Sequence, residues 1–249
     1  MTSLLFLLGR GTFAGGVAGL VSGGFSVLFA EPVLDRAVRL EAAREEARGA
    51  SAAVEVFSRS TQHTGLVVAA VGTGAAIGVL FAVVYAVLHR RDPDSAPWKR
   101  SLMLAGAGFT GVWLLPFLRY PANPPGVGDP GTVGVRGDAW LAAIGISLIA
   151  VVLAWSIRTW LERHGHPAPL RQLAVAAIMV TALGSLFALP DNPDVVNAPA
   201  TLVWDFRVLS AASVGLLWAL LAVGFGLIGL RAARTRMGAS ARTAPVPAA

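Results

Sequence analysis

The sequence predicts an all-α membrane protein, a polytopic bundle of about six transmembrane helices. Three observations carry that prediction. Six long apolar runs, at roughly 11–30, 65–88, 101–118, 139–157, 170–189 and 209–230, occupy half of the 249 residues, and none has an ionised side chain in its interior. The composition is 55% hydrophobic and 14% charged, against about 25% charged in a soluble domain. The mean hydropathy is +0.66. A helix crosses the hydrocarbon core with about 20 apolar residues, so each run is long enough, the third and fourth being the shortest. A soluble all-helical globule would need polar helices to wrap these runs, and none is left over.

The acidic residues are unevenly placed. Eleven of the fourteen Asp and Glu residues fall in the first, third and fifth connections, which six crossings would put on one face. Polar chemistry is therefore concentrated on one side. Lys and Arg in short loops set orientation. With the N-terminus inside, twelve basic residues lie in cytoplasmic segments and eight in outer ones. The tight clusters Arg90–Arg91 and Arg231–Arg236 favour the same orientation. The expectation is a multi-pass protein of the cell inner (plasma) membrane with both termini cytoplasmic. Net charge +6 then reflects anchoring to membrane lipid. No basic patch is interleaved with aromatics, so no nucleic acid is expected.

The first run reads as a span. Arg10 follows an apolar stretch instead of preceding it, unlike a cleaved leader. Gly11, Gly15, Gly19 and Gly23 recur every four residues on one helix face, and Gly74 and Gly78 repeat the spacing in the second run. Without side chains, two helices in lipid can approach backbone to backbone. The face serves either packing within the chain or the seam of a homo-oligomer. Glu31 and Pro32 follow, the proline being suited to a new helix start. Residues at about 33–57 have helix-like apolar spacing and surface charge pairs such as Asp35 with Arg39 and Glu45 with Arg48. They predict an amphipathic helix on the outer membrane surface or capping the bundle.

The third connection is rich in proline, at 116, 121, 124, 125 and 130, which forbids a regular helix through it. Irregular backbone at membrane depth is tolerated only where it is buried in protein or lines a cavity. Arg119, Asn123 and Asp129 are its polar groups. The fifth connection echoes it: Asp191, Asn192, Asp194 and Asn197 offer four oxygen ligands within seven residues. Hard and borderline divalent cations bind such sets, and Asp and Asn also simply make turns. Asp205 and Arg207 follow on what reads as a short helix starting near Pro199. His63 precedes the second span. His164 and His166 flank a glycine in a cytoplasmic turn. Residues 1–236 read as one transmembrane domain and 237–249, rich in Ala, Pro, Arg and Thr, as a disordered tail.

Some chemistries drop out. The chain has no cysteine, hence no disulfide, thiol catalysis or thiolate metal site. No phosphate-cradling glycine loop with its lysine is present, so the chain is not itself an ATPase. An intramembrane enzyme would want an acid or base pair near a span end, and only Asp191 and Asp194 offer one. The expectation is a protein that is not an enzyme.

Four segments together resemble the CbtA family of proposed cobalt transporter subunits. They are the glycine-faced span ending in Glu31 and Pro32, the set Ser58, Arg59, Thr61 and Gln62, the block from Leu115 to Asp129, and the stretch from Pro199 to Arg207. The resemblance runs over nearly the whole chain, and the Pro-Ala-Asn-Pro-Pro-x-Val-Gly block is its most specific part. It implies a multi-spanning subunit acting in Co²⁺ uptake with a small membrane partner, CbtB-like, and linked to cobalamin synthesis. That family is usually described with five spans, whereas six are counted here. Reading residues and resemblance together, Glu31, His63, Asn123, Asp129, Asp191 and Asp194 are the candidate metal ligands at an outer vestibule. Co²⁺ would be the transported ion, with no cofactor bound permanently. The rival is a structural or assembly subunit that transports nothing alone.

Overall fold

The computed structural model describes residues 4–47, 49, 59–93 and 95–242. Its elements in chain order are α1 (Leu4–Phe25), a π-helical turn (Ser26–Ala30), α2 (Glu31–Ala47), α3 (Arg59–Arg91), α4 (Pro97–Phe109), a second π-helical turn (Thr110–Leu114), α5 (Leu115–Arg119), a 3₁₀ turn (Pro130–Thr132), α6 (Val133–Arg163), α7 (Ala168–Leu186) and α8 (Ala200–Arg242). Six helices are long and apolar enough to cross a membrane. The shortest is the fifth, with 19 residues, not the third or fourth as expected. The reason is that helix continues past the apolar runs into their polar flanks.

Both π-helical turns end two residues before a proline, Ala30 before Pro32 and Leu114 before Pro116. A proline in a helix lacks its N–H, and its ring collides with the carbonyl four residues earlier. A wider turn there opens the space. Pro116 therefore sits inside helix, and the irregular backbone runs only from Tyr120 to Asp129. For the same reason the path from α1 into α2 stays helical through Glu31. The short helix expected after Pro199 is instead the first part of the 43-residue α8. Helix also covers 237–242, in the stretch expected to be disordered. Residues 243–249, like Arg48, 50–57 and Ser58 of the expected amphipathic helix and family set, lie outside the described residues.

The chain divides into two compact units. The first comprises residues 1–27, 57–106 and 215–249. In it the glycine face of α1 meets α3. A Cβ on Gly15 would stand 2.9 Å from the Gly74 carbonyl carbon, and one on Gly19 2.9 Å from that of Ala70. The contact is reciprocal, since a Cβ on Gly74 would stand 2.9 Å from the Gly19 Cα. Backbone touches backbone, so the seam is filled within the chain. This corrects the homo-oligomer reading of the Gly11, Gly15, Gly19 and Gly23 face, because no room remains there for a second copy. Phe225 is fully buried against Phe81 and Tyr85, ring centroids 5.0 and 4.9 Å away. Ser101 Oγ donates to the Ala222 carbonyl at 2.7 Å, tying α4 to α8.

The second unit comprises residues 28–56 and 107–214. Leu115, Ala143, Ala150, Ala182 and Leu186 form one buried cluster joining α5, α6 and α7. Val33 and Ala37 of α2 pack on Leu202 of α8 in another. The apolar stripe of α2 is therefore spent on protein, and Arg36 reaches Asp205 at 3.6 Å.

Replacing Gly15 or Gly19 with Leu must force the α1–α3 backbones apart, costing about 2 kcal/mol or more. Gly16 has nothing within 4 Å of its Cβ position, so Gly16→Ala should not lower the unfolding midpoint in detergent and, alanine being the better helix former, should raise it slightly. Equal midpoints for Gly19→Leu and the wild type would disprove this packing.

Candidate functional site

The irregular segments of the second unit meet around three arginines. Arg119 ends α5 and its side chain is 8% exposed. Its Nε donates to the Leu186 carbonyl at 3.0 Å, and its Nη2 lies 2.8, 3.0 and 2.7 Å from the Leu189 carbonyl, the Pro190 carbonyl and Asp191 Oδ1. The last carbonyls of a helix have no partner within it, and a cation beside them is favoured by the helix dipole. Arg119 therefore caps α7. Its guanidinium also faces the rings of Tyr120 and Phe187, centroids 4.7 and 5.3 Å away. Tyr120 adds an O–H donated to the Pro190 carbonyl at 2.6 Å.

Arg136 of α6 holds the rest of the fifth connection. Its Nη1 lies 3.1 Å from Asp194 Oδ2, and Asp194 is 5% exposed. Thr132 Oγ1 lies within hydrogen-bond reach of the Asp129 carbonyl and of both Asp194 oxygens, at 2.7, 2.9 and 3.0 Å; its single proton serves one of them at a time. Asp129 itself caps the 3₁₀ turn, Oδ1 accepting from the Gly131 N–H at 2.7 Å. Gly128 has φ +113°, in the region that favours glycine. A Cβ there would stand 2.7 Å from Asp194 Oδ2, so that glycine leaves the Arg136–Asp194 pair its room. Asn192 Oδ1 accepts from the Asp194 N–H at 3.1 Å, an Asx turn. Arg207 completes the set, Nε donating to the Ala122 carbonyl at 3.2 Å and Nη2 to Asn123 Oδ1 at 2.8 Å.

A cavity of about 190 Å³ opens between the two irregular segments, with Tyr120, Asn123, Arg136, Asp191 and Asn192 among its walls. Of the six expected ligands, Asn123 and Asp191 line this cavity, while Asp129 and Asp194 are joined through Thr132 and Arg136. Glu31 starts α2 and His63 lies in α3, in the other compact unit; each makes an interaction of its own. Among the described residues no three His, Asp or Glu side chains are grouped so as to hold a metal ion. Asp191 and Asp194, the one acid pair open to an enzyme, are each bound to a different arginine. That Arg119 donates to the last carbonyl of α7 and to two beyond it was not legible in the sequence, because its partners are backbone atoms 67 to 71 residues away.

Six helices long and apolar enough to cross a membrane define a polytopic membrane protein. A family model described as "Probable cobalt transporter subunit (CbtA)" matches residues 6–229. The chain belongs to the CbtA family. No curated protein and no solved structure matches it.

Arg119→Gln should strip the carbonyls at the end of α7 of their donor and destabilise by about 3 kcal/mol, measured by chemical unfolding in detergent. Arg119→Lys should not restore it, because one ammonium cannot span the fork. Asp191 is 94% exposed, so Asp191→Asn should barely move the midpoint, whereas Asp194→Asn should lower it clearly. Equal losses for Asp191→Asn and Arg119→Gln would show that the ion pair, and not the helix cap, holds the loops.

Proposed function

We propose that this chain is the membrane-spanning subunit of a Co²⁺ uptake system of the plasma membrane, working with a smaller CbtB-like membrane subunit. The family match over residues 6–229 carries this reading. Co²⁺ is cargo here, and the chain's task is transport, not catalysis. An even number of candidate spans supports both termini on one side, and the basic residues favour the cytoplasm. The cation is met from outside at the cavity of the second unit. Asp191 is the receiving carboxylate. It lines the cavity, it is exposed, and Arg119 engages only one of its oxygens. A borderline divalent ion such as Co²⁺ accepts carboxylate oxygen, amide oxygen and water together. Asp129 and Asp194 hold the loop in shape. Glu31, His63 and Asn123 are left without a firm part in capture, the last because Arg207 already occupies its oxygen.

A second reading, an assembly subunit that carries no ion alone, draws on one observation. Each acid of the two irregular segments is tied within the protein, Asp129 to a backbone N–H and Asp191 and Asp194 to arginine.

Radiolabelled Co²⁺ uptake in cells separates the two. The chain with its partner should raise uptake, and Asp191→Asn should lower it several-fold at unchanged protein level. Uptake unaffected by Asp191→Asn would remove that residue from the path. Partner-driven uptake that does not need this chain would leave the assembly reading. A reporter fused to the C-terminus should register the cytoplasmic side, and an extracytoplasmic signal would overturn the six-span topology.

A further inference from the structure

The first compact unit contains a buried charge for which the described residues offer no counter-charge. Arg10 of α1 is 6% exposed. Its guanidinium carbon lies 3.6 Å from the Phe225 ring centroid and 5.4 Å from that of Tyr85. Aromatic faces attract a cation, but they do not accept the planar fork of N–H groups. Nε and Nη2 are buried without a hydrogen-bond partner, and among the described residues no carboxylate forms an ion pair with Arg10. Gly229 makes the space, since a Cβ there would stand 2.6 Å from Nη1.

Arg100, in the same unit and 4% exposed, shows what satisfaction looks like. It contacts Asp92 Oδ2 at 3.3 Å, the Asp92 carbonyl, and His89 Nδ1 at 2.7 Å. Arginine only donates, so His89 Nδ1 is the acceptor and Nε2 carries the ring proton. Leaving a buried cation unpaired is costly. Arg10 is therefore the group here that calls for an outside partner.

A cavity of about 340 Å³ lies against it, lined by Arg10, Tyr85, His89, Ser95 and Gly229 together with apolar Phe6. Its polar walls include the Arg10 guanidinium, the Ser95 hydroxyl and His89, while the Tyr85 hydroxyl interacts with Arg10. Exposed Arg90 and Arg91 end α3 beside His89, exposed Lys99 follows Pro97, and exposed Arg231 follows Gly229, all within four residues of a lining residue; Asp92 and Asp94 are the acids in the same sequence range, and Asp92 is paired with Arg100. Such a cluster raises the local concentration of anions.

We propose that this cavity is an oxyanion site of the phosphate class, in which Arg10 clasps a phosphate group through its fork. Planar guanidinium suits phosphate bidentately. The phosphate comes either from an anionic phospholipid headgroup or from a free solute, and the chemistry at Arg10 is the same.

The test uses the full chain, purified and delipidated in neutral detergent. Unfolding midpoints are followed while adding inorganic phosphate, phosphatidylglycerol or phosphatidylcholine. Ligand bound only to the folded form raises the midpoint with concentration. A saturable rise with phosphatidylglycerol but not inorganic phosphate assigns a lipid headgroup; a rise with both assigns the free anion. Arg10→Gln should weaken the effect at least about ten-fold. Arg90→Gln with Arg91→Gln, on the exposed cluster, should weaken it far less. Should Arg10→Gln not fold, native mass spectrometry of the wild type should still show one tightly retained anion per chain. No saturable rise with any addition overturns the proposal, as does an equal loss in the Arg90 and Arg91 variant.

Discussion

A carbonyl that leaves the helical ladder loses its donor, and the second unit is organised around replacing it. The end of α7 exposes its last carbonyls where α5 also ends. Arg119, at the end of α5, meets the end of α7 and the segment after it with one planar group, taking Leu186, Leu189 and Pro190. Arg136 and Arg207 do the same for the segments beside them, through Asp194, Ala122 and Asn123. The prolines that deny these segments a helix thus create the need for the arginines. The acids are secondary: Asp194 is buried as a partner, while Asp191 stays largely in solvent. That difference separates the carboxylate able to meet an ion from the one that cannot.

The first unit solves a different problem. Where α1 and α3 touch, the side chains are mostly absent or small, so much of the contact is backbone against backbone at Gly11, Gly15, Gly19, Gly74 and Gly78. Association in lipid relies on such close van der Waals contact. It leaves the larger side chains of both helices, such as Phe13, Val17 and Leu80, exposed.

Much of the fold was legible because its signals are local. Apolar length gave the six spans, and the four-residue glycine period gave the α1–α3 seam, although not that its partner lay in the same chain. Local signals failed at the prolines. Pro32 and Pro116 read as helix boundaries, and only the preceding π-helical turns show how helix passes them. The site was half legible. Asp, Asn and Arg in the two irregular segments were visibly complementary, but which acid is buried depends on Thr132 and Gly128, residues without a charge signal. Arg10 read as an orientation charge because nothing in its neighbourhood along the chain says that Phe225 and Tyr85 will enclose it.

The π-helical turn at Thr110–Leu114 also sets a phase. Such a turn holds one more residue than an α-helical turn does, so everything after it is rotated by about 100° from where a regular helix would put it. Arg119 faces the end of α7 only in that phase. The wide turn and the residue count therefore set the phase together. Were Thr110–Leu114 to revert to α-helix with every residue kept, the guanidinium would swing away from its carbonyls, even with every polar side chain of the site still present. Loss of one residue together with the wide turn would instead leave Arg119 in its present phase, so the turn absorbs the one residue that a regular helix has no room for.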